Sequence, residues 1–367
     1  MGKRLILVFV LFTLVMSVVN AQEISTEGLI GVTSVSGYIK TRALWIDEDV
    51  TTFRFQEWYL SLNRQLSSKA NASVGAYLYG GNQFFLGDAF VDLRNMPMEM
   101  SGIWRIGVSR NYSFGLVPTI PNRKTSNYGI VSGMFTEDRV IGVQYLSMTS
   151  PIEVNIAAHN SYELGVKTVG EGINTVTFLA DSDNTFSVFQ RNDNSDSKEV
   201  SARIAYISAN SFDIGVSGAY SVLPETEIAA LNTILGTDYV SDKKIRAGLD
   251  FMCTELNPII LQGEIYNGWT SDLKHTAWQA LTGYMFKKDN KPFVDIYARY
   301  GETNPIIDTN PAIQETWKLR QTVLAVKYMF TPGVSLQLEG EINKQRTRGG
   351  AANIPSSAAF LELMFLY

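Results

Sequence analysis

The chain has 367 residues, 45% of them hydrophobic, 18% charged and 11% aromatic, with 29 Gly, 11 Pro, 1 Cys and 2 His. One cysteine excludes a disulfide framework and a cysteine-rich zinc site, and His159 and His275 leave little for imidazole or metal chemistry. A formal charge of −5 argues against a nucleic-acid binder, which carries a basic face. What remains is a large, aromatic-rich body for which no catalytic role, cofactor or metal is expected.

Lys3 and Arg4 precede an almost unbroken apolar run, Leu5 to Val19, and small or modest residues follow at Val19-Asn20-Ala21. The run is short for a membrane-spanning helix and a processing site follows at once, so residues 1–21 read as a signal peptide. No cysteine follows the site to carry a lipid anchor. Cleavage after Ala21 takes 21 of 367 residues, leaves 346, and moves the formal charge from −5 to −7 by removing Lys3 and Arg4. Residues 22–367 are then a single domain.

From there the pattern is alternation. Val334, Leu336, Leu338 and Ile342 share one face of a segment whose other face holds Ser335, Gln337, Glu339 and Glu341. The same rule sets Ile152, Val154 and Ile156 against Glu153, Asn155 and His159, and Val294, Ile296 and Ala298 against Asp295, Tyr297 and Arg299. These are strands with one oily and one wet surface. A β-sandwich also alternates, so alternation alone leaves sandwich and barrel open.

Segment spacing is more specific. Strands are expected near 29–40, 53–63, 69–79, 84–93, 102–110, 139–147, 151–160 and 199–209, then 212–221, 243–253, 257–267, 275–286, 292–301, 320–330, 333–342 and 358–367. That is about sixteen, each near the 9–11 residues a tilted strand needs to cross a bilayer. Tight turns at 65–68, 149–150, 210–211, 254–256, 287–291 and 331–332 alternate with longer loops at 41–52, 111–138, 161–198, 222–242, 302–319 and 343–357. Short periplasmic turns and long extracellular loops are the habit of outer-membrane barrels, and an even strand number returns both ends to the periplasm. The fold expected is therefore all-β, a transmembrane antiparallel barrel of about sixteen strands in the outer membrane of a Gram-negative bacterium. Its outer face meets lipid and lipopolysaccharide.

The final segment Ala358–Tyr367 sets Leu361, Leu363, Phe365 and Tyr367 on one face and Glu362 on the other. An alternating last strand with a terminal aromatic resembles the signal read by the bacterial outer-membrane assembly machinery. Left unpaired, such a strand is an aggregation hazard, and barrel closure removes that edge.

Gly107-Val108-Ser109-Arg110-Asn111-Tyr112-Ser113-Phe114-Gly115, followed by Asp138-Arg139-Val140-Ile141-Gly142-Val143-Gln144-Tyr145, resembles the phosphate-selective porin family (porins O and P). Val188 to Asn194 before Ala202-Arg203-Ile204 is similar to that family's Asn/Asp-rich loop and following strand. Gly248-Leu249-Asp250, Leu261-Gln262-Gly263-Glu264-Ile265-Tyr266 and Lys291-Pro292-Phe293-Val294 are similar to later strands of the family. Asp295 stands where the family commonly shows Arg. The resemblance runs from about the second strand to the C-terminus, carried by the order and spacing of short motifs. It implies a sixteen-stranded homotrimeric porin with a loop folded into the lumen as a constriction.

Residues 111–138 are the candidate for that loop, holding Arg123, Lys124, Glu137 and Asp138 between Arg110 and Arg139 at the strand ends. Basic groups in a narrow pore raise local anion concentration, whereas facing carboxylates create a transverse field. Alternation cannot orient a loop, so a solvated outer position stays open for these charges. Period two does assign strand charges inward. Arg94, Arg105, Arg203, Arg246 and Arg299 face the lumen with Asp88, Asp92, Glu153, Asp250, Glu264, Asp295, Glu339, Glu341 and Glu362. Acids outnumber bases there, which tells against strict phosphate selectivity.

Trp58, Trp104, Trp278, Tyr284, Phe286, Tyr328 and Phe330 suit an interfacial girdle, while Tyr77 and Tyr297 face inward and are able to stack on sugars. Residues 223–236 read as a short amphipathic helix capping a long loop, and Cys253 as a small buried side chain. His159 lies beside Asn160 and Ser161 with no Gly-x-Ser-x-Gly elbow, so an outer-membrane hydrolase is the weaker alternative. The expected function is a porin for passive diffusion of small hydrophilic solutes, anions such as phosphate among them. A non-conducting structural or adhesive barrel is the other alternative.

Overall fold

The computed structural model describes residues 33–46, 50–80, 83–94, 102–116, 122–126, 129–135, 139–147, 149–161, 164–169, 176–181, 197–208, 212–256, 258–289, 291–306, 316–347 and 355–367. The expected signal segment 1–21 lies outside them. Strands β1 (Thr33–Ile46), β2 (Val50–Ser67), β3 (Ala70–Tyr79), β4 (Gln83–Arg94), β5 (Gly102–Arg110), β6 (Arg139–Ser147) and β7 (Ile152–Asn160) come first. After a separate hairpin, β8 (Leu164–Val169) and β9 (Val176–Asp181), follow β10 (Lys198–Ile207), β11 (Phe212–Val222), β12 (Lys243–Leu256), β13 (Ile259–Thr270) and β14 (Leu273–Lys288). Then come β15 (Lys291–Ile306), β16 (Thr316–Thr331), β17 (Val334–Thr347) and β18 (Pro355–Leu366).

All but β8 and β9 form one closed barrel in chain order, β7 pairing directly with β10 and β1 with β18. The β1–β18 seam runs antiparallel from Tyr38↔Leu366 to Ile46↔Ala358. Closure satisfies the backbone groups an open edge would present to hydrocarbon, each costing several kcal/mol (of order 2–7) if left unpaired. Sixteen barrel strands agree with the expected number and positions. Among the described residues no helix is long and apolar enough to cross a membrane.

The two faces divide as the alternation requires. Val74, Ile156, Val200, Ile204, Val216, Leu249, Ile265, Leu324 and Leu338 are exposed on the outside. Trp45, Phe53, Phe84, Tyr220 and Trp269 lie toward one rim and Tyr206, Tyr284, Phe286, Tyr328 and Phe330 toward the other, two aromatic bands bounding an apolar belt. Inside, Gln144, Asn155, Ser201, Asp250, Glu264, Gln321, Glu339 and Glu341 are buried. This polar interior and oily exterior define an outer-membrane-type β-barrel; a Lys or Arg turned to lipid at mid-depth costs about 2–4 kcal/mol.

Three details depart from the sequence expectation. Residues 41–52 are mostly strand, since β1 runs to Ile46 and β2 begins at Val50; the register shift between Lys40 and Thr41 breaks the parity of β2 and disguises its length. Residues 161–198, read as plain loop, contain the β8–β9 hairpin, in register from Leu164↔Asp181 to Val169↔Val176. The segment 111–138 contains a short helix, α1 (Ile130–Phe135). The expected helix in 223–236 is α2 (Glu225–Leu235), with Glu225 and Glu227 in its first turn, where the helix dipole favours acids, and left-handed Gly236 ending it.

Candidate functional site

The segment after β5 does not stay outside; it crosses the lumen. Its departure is shaped locally. The Gln144 amide nitrogen donates to the Arg110 carbonyl at 2.7 Å and to Ser109 Oγ at 2.8 Å, and its oxygen accepts from the Tyr112 backbone N–H at 3.1 Å. Asn111 Oδ1 accepts the Ser113 N–H at 3.0 Å and the Ser113 hydroxyl at 2.6 Å, an Asx turn that redirects the chain inward.

Contacts with distant strands then hold it. Ser113 Oγ and Ser201 Oγ lie 2.5 Å apart, and the Gly115 N–H donates to Ser217 Oγ at 3.0 Å. Phe114 and Phe135 bracket Tyr266, with ring centroids 5.2 and 5.8 Å away, in a buried cluster with Ile130, Val131, Ala277 and Leu319. At the far side the Ser126 N–H donates to Glu339 at 2.8 Å and its hydroxyl to Glu362 at 3.0 Å, while Arg299 bonds the Thr125 hydroxyl. Gly129 sits at φ +90°, a conformation that favours glycine, with the side-chain ends of Gln279 and Arg299 against it. The loop is thus tied to β10 through β18, the wall opposite its own strands.

This arrangement sorts the candidate residues. Arg203, Arg246 and Arg299 belong to the covered wall. Arg203 holds Asp250 at 2.5 Å and Asp213 at 2.9 Å. Arg246 pairs with Glu199, donates to the Phe135 carbonyl at 2.6 Å and stacks 4.9 Å from the Phe114 ring. Arg299 reaches Gln321 at 2.8 Å. Arg123 and Lys124 lie in the crossing segment, neither of them fully exposed. Burial lowers the Lys124 ammonium from its ordinary value, with Asp295 acting in the opposite sense. Glu137 and Asp138 lie outside the described residues.

Arg105, Arg110 and Arg139 converge instead on a cavity of about 370 Å³ along the β1–β6 wall. Arg105 grips Asp92 through two bonds of 2.7 and 2.9 Å and lies 3.9 Å from the Phe90 centroid. Arg139 donates to Asp88 at 3.2 Å and bonds the Tyr77 hydroxyl. Tyr38, Tyr59, Tyr77 and Tyr112 also line the cavity. Of the two inward tyrosines singled out from sequence, Tyr77 lines this space, whereas Tyr297 is buried with Ile260, Leu281 and Ala325.

Sequence patterning does not show Lys40 and Arg42, which hold Glu362 at 3.2 and 2.9 Å, because a first strand ending at residue 40 puts Lys40 at its end and Arg42 in a loop. It also missed a Ser–His contact: His159 Nε2 lies 3.2 Å from Ser201 Oγ and 3.5 Å from Glu199, with Nδ1 facing the Asn160 carbonyl at 2.9 Å. Ser113 caps that hydroxyl, and all three side chains are buried, so the group ties the loop down.

No protein-family model matches the chain, and no curated protein matches it. Its fold is similar to that of the outer membrane channel DcaP of Acinetobacter baumannii, at 12% identity over 95% of this chain and 100% of that chain, TM-score 0.62. It is similar to OmpT, an outer membrane protein of Vibrio cholerae, in a trimer form, at 12% identity over 92% and 99% of the two chains, TM-score 0.58. The anion-selective porin from Comamonas acidovorans matches at 9% identity over 92% of this chain and 100% of that chain, TM-score 0.57. At such identities the likeness defines the architecture: a porin-type sixteen-stranded barrel.

Proposed function

We propose that the protein is a passive porin of the Gram-negative outer membrane, passing small hydrophilic solutes down their gradients with a preference for anions, phosphate among them. The observation that carries this is a loop tethered across the lumen beside a cavity lined by Arg105, Arg110 and Arg139, of which Arg105 is paired with Asp92 and Arg139 with Asp88. Cations between low-dielectric walls concentrate anions. The strand carboxylates that outnumber bases weigh less against anions here, because Glu199, Asp250, Glu339 and Glu362 are engaged beneath the loop or by basic partners. In this reading residues 1–21 direct export, the last strand is the mark for the assembly machinery, and the barrel forms a homotrimer in lipid and lipopolysaccharide. The likeness to a trimeric outer membrane protein supports the last point. The reading includes no catalysis and no cofactor.

A plugged, structural or adhesive barrel is favoured by one observation: β9 lies against α1 and β16, so the β8–β9 hairpin reaches across the barrel. Single-channel conductance in a planar bilayer decides between them. Conductance with an anion-directed reversal potential in a salt gradient is expected. No conductance would favour the plug, and a cation-directed potential would keep the pore and discard the anion preference.

A further inference from the structure

The outer face of β14–β17 changes character near the rim that carries the long loops. Trp278 is the cross-strand partner of Glu302, Glu302 of Arg320, and Arg320 of Lys344, so one row runs over four strands at a single depth. Alternation turns this row outward, because the neighbours in sequence Gln279, Thr303, Gln321 and Asn343 are buried inside the barrel. Trp278 meets Tyr300 with ring centroids 5.4 Å apart, which sets the row at the depth of an aromatic band. Below Arg320 on the same face come Leu324 and Val326, and below Lys344 come Ile342 and Leu338, all exposed. Arg320 and Lys344 are therefore exposed cations seated directly above lipid-facing apolar side chains.

A single acid answers part of this charge. Glu302 pairs with Lys318, accepts from Arg320 Nε at 2.9 Å and from the Asn304 amide at 3.5 Å. That holds the guanidinium by one edge, and its side chain keeps 50% exposure. Among the described residues the two Nη groups of Arg320 and the Lys344 ammonium have no partner. Lys318, Arg320 and Lys344 against Glu302 leave two positive charges unanswered on this face. The surface beneath them is hollowed. Gly340 stands between Leu324 and Ala359 in the register, and a Cβ there would meet nothing within 4 Å. A soluble anion would use the cations and leave the hollow empty, and an uncharged lipid would do the reverse. Another barrel pressed here would have to strip water from both unpartnered cations. A lipid with a phosphorylated head satisfies cations and hollow together.

We infer that the outer face of β16 and β17 is a binding site for one outer-leaflet lipopolysaccharide, its phosphorylated saccharide head on Arg320 and Lys344 and an acyl chain along Gly340. The inference rests on the proposed setting in lipid and lipopolysaccharide, and not on the passage of solutes. Native mass spectrometry of the full barrel folded in detergent tests it with three probes: lipid A carrying two phosphates, lipid A carrying one, and phosphatidylglycerol. The two-phosphate form is expected to be retained about tenfold more tightly than either of the others, because two charges await it. Arg320→Gln with Lys344→Gln is expected to bring it down to their level. Lys288→Gln, at an exposed lysine of the opposite rim, is expected to change nothing. Equal retention of the three lipids, or full retention by the double variant, would overturn the inference. So would a multimer that forms without added lipid and is lost in the double variant, since a second copy is then the occupant. A barrel that retains lipid A in the expected order yet carries no current keeps this site and overturns the passage. One that conducts and retains no lipid A overturns the site alone.

Discussion

The β1–β6 wall and the β10–β17 wall are built from the same parts and reach different ends. Each lays tyrosines over cross-strand glycines: Tyr59 over Gly75 and Tyr77 over Gly87 on one, Tyr266 over Gly248 and Tyr297 over Gly283 on the other. Each fixes arginines with carboxylates, Arg105–Asp92 and Arg139–Asp88 against Arg203–Asp250 and Arg246–Glu199. On the first wall the rings line a cavity. On the second, Tyr266 is sealed between Phe114 and Phe135, and Glu199 lies beneath the loop. The same local device therefore borders a cavity on one wall and is sealed beneath the loop on the other. An ion pair likewise positions a guanidinium in one place and neutralises a buried acid in the other.

Arg246→Ala should separate the walls most sharply. It removes the guanidinium from Glu199 and leaves that carboxylate beneath the loop with His159 at 3.5 Å, an expected cost of about 3–5 kcal/mol in urea unfolding in micelles. Arg105→Ala, at a pair whose side chains are 14% and 10% exposed beside a cavity, should cost less than Arg246→Ala and in addition lower the anion-to-cation permeability ratio. Equal stability losses would erase the distinction. Phe135→Ala removes a ring from the sealed cluster, for about 3 kcal/mol, and loosens the loop; single-channel conductance should rise and become noisier.

Gly129→Ala is expected to cost about 1–3 kcal/mol, because φ +90° opposes a Cβ and the side-chain ends of Gln279 and Arg299 must give way to it. Its readout is trypsin cleavage of the crossing segment, which should accelerate. The smallest effect concerns Lys124. Its folded pKa is below the unfolded one, so the folded state binds its proton less readily and the penalty is full at pH below the folded value. That penalty fades as pH rises through the folded value toward the unfolded one. Lys124→Met should therefore stabilise the barrel at pH 7 and flatten the rise in denaturation midpoint between pH 7 and pH 10; an unchanged slope would place Lys124 in solvent.

Much of the barrel is readable from particular residues. Val334–Ile342 and Ile152–Ala158 show their faces because side chains alternate with every residue, a property each strand carries alone. The helix Glu225–Leu235 shows itself through first-turn acids and the terminal Gly236. The β8–β9 hairpin was less visible, since six-residue strands outside the wall carry no bilayer-length pattern. The site was half legible: period two turned Arg105, Arg203, Arg246 and Arg299 inward, yet could not tell the open wall from the covered one.

The sequence by itself determined the number of barrel strands, their lipid and lumen faces, and, through Tyr284, Phe286, Tyr328 and Phe330, the aromatic band at one rim, since these follow from short-range periodicity and from the solvent each face meets. Only the tertiary structure decided where the loop lies. Gly115 meets Ser217 across 102 positions and Ser126 meets Glu339 across 213, and no local pattern encodes which distant hydroxyl or carboxylate completes a loop's hydrogen bonds. That choice leaves Arg105, Arg110 and Arg139 lining one cavity with Tyr59 and Tyr112.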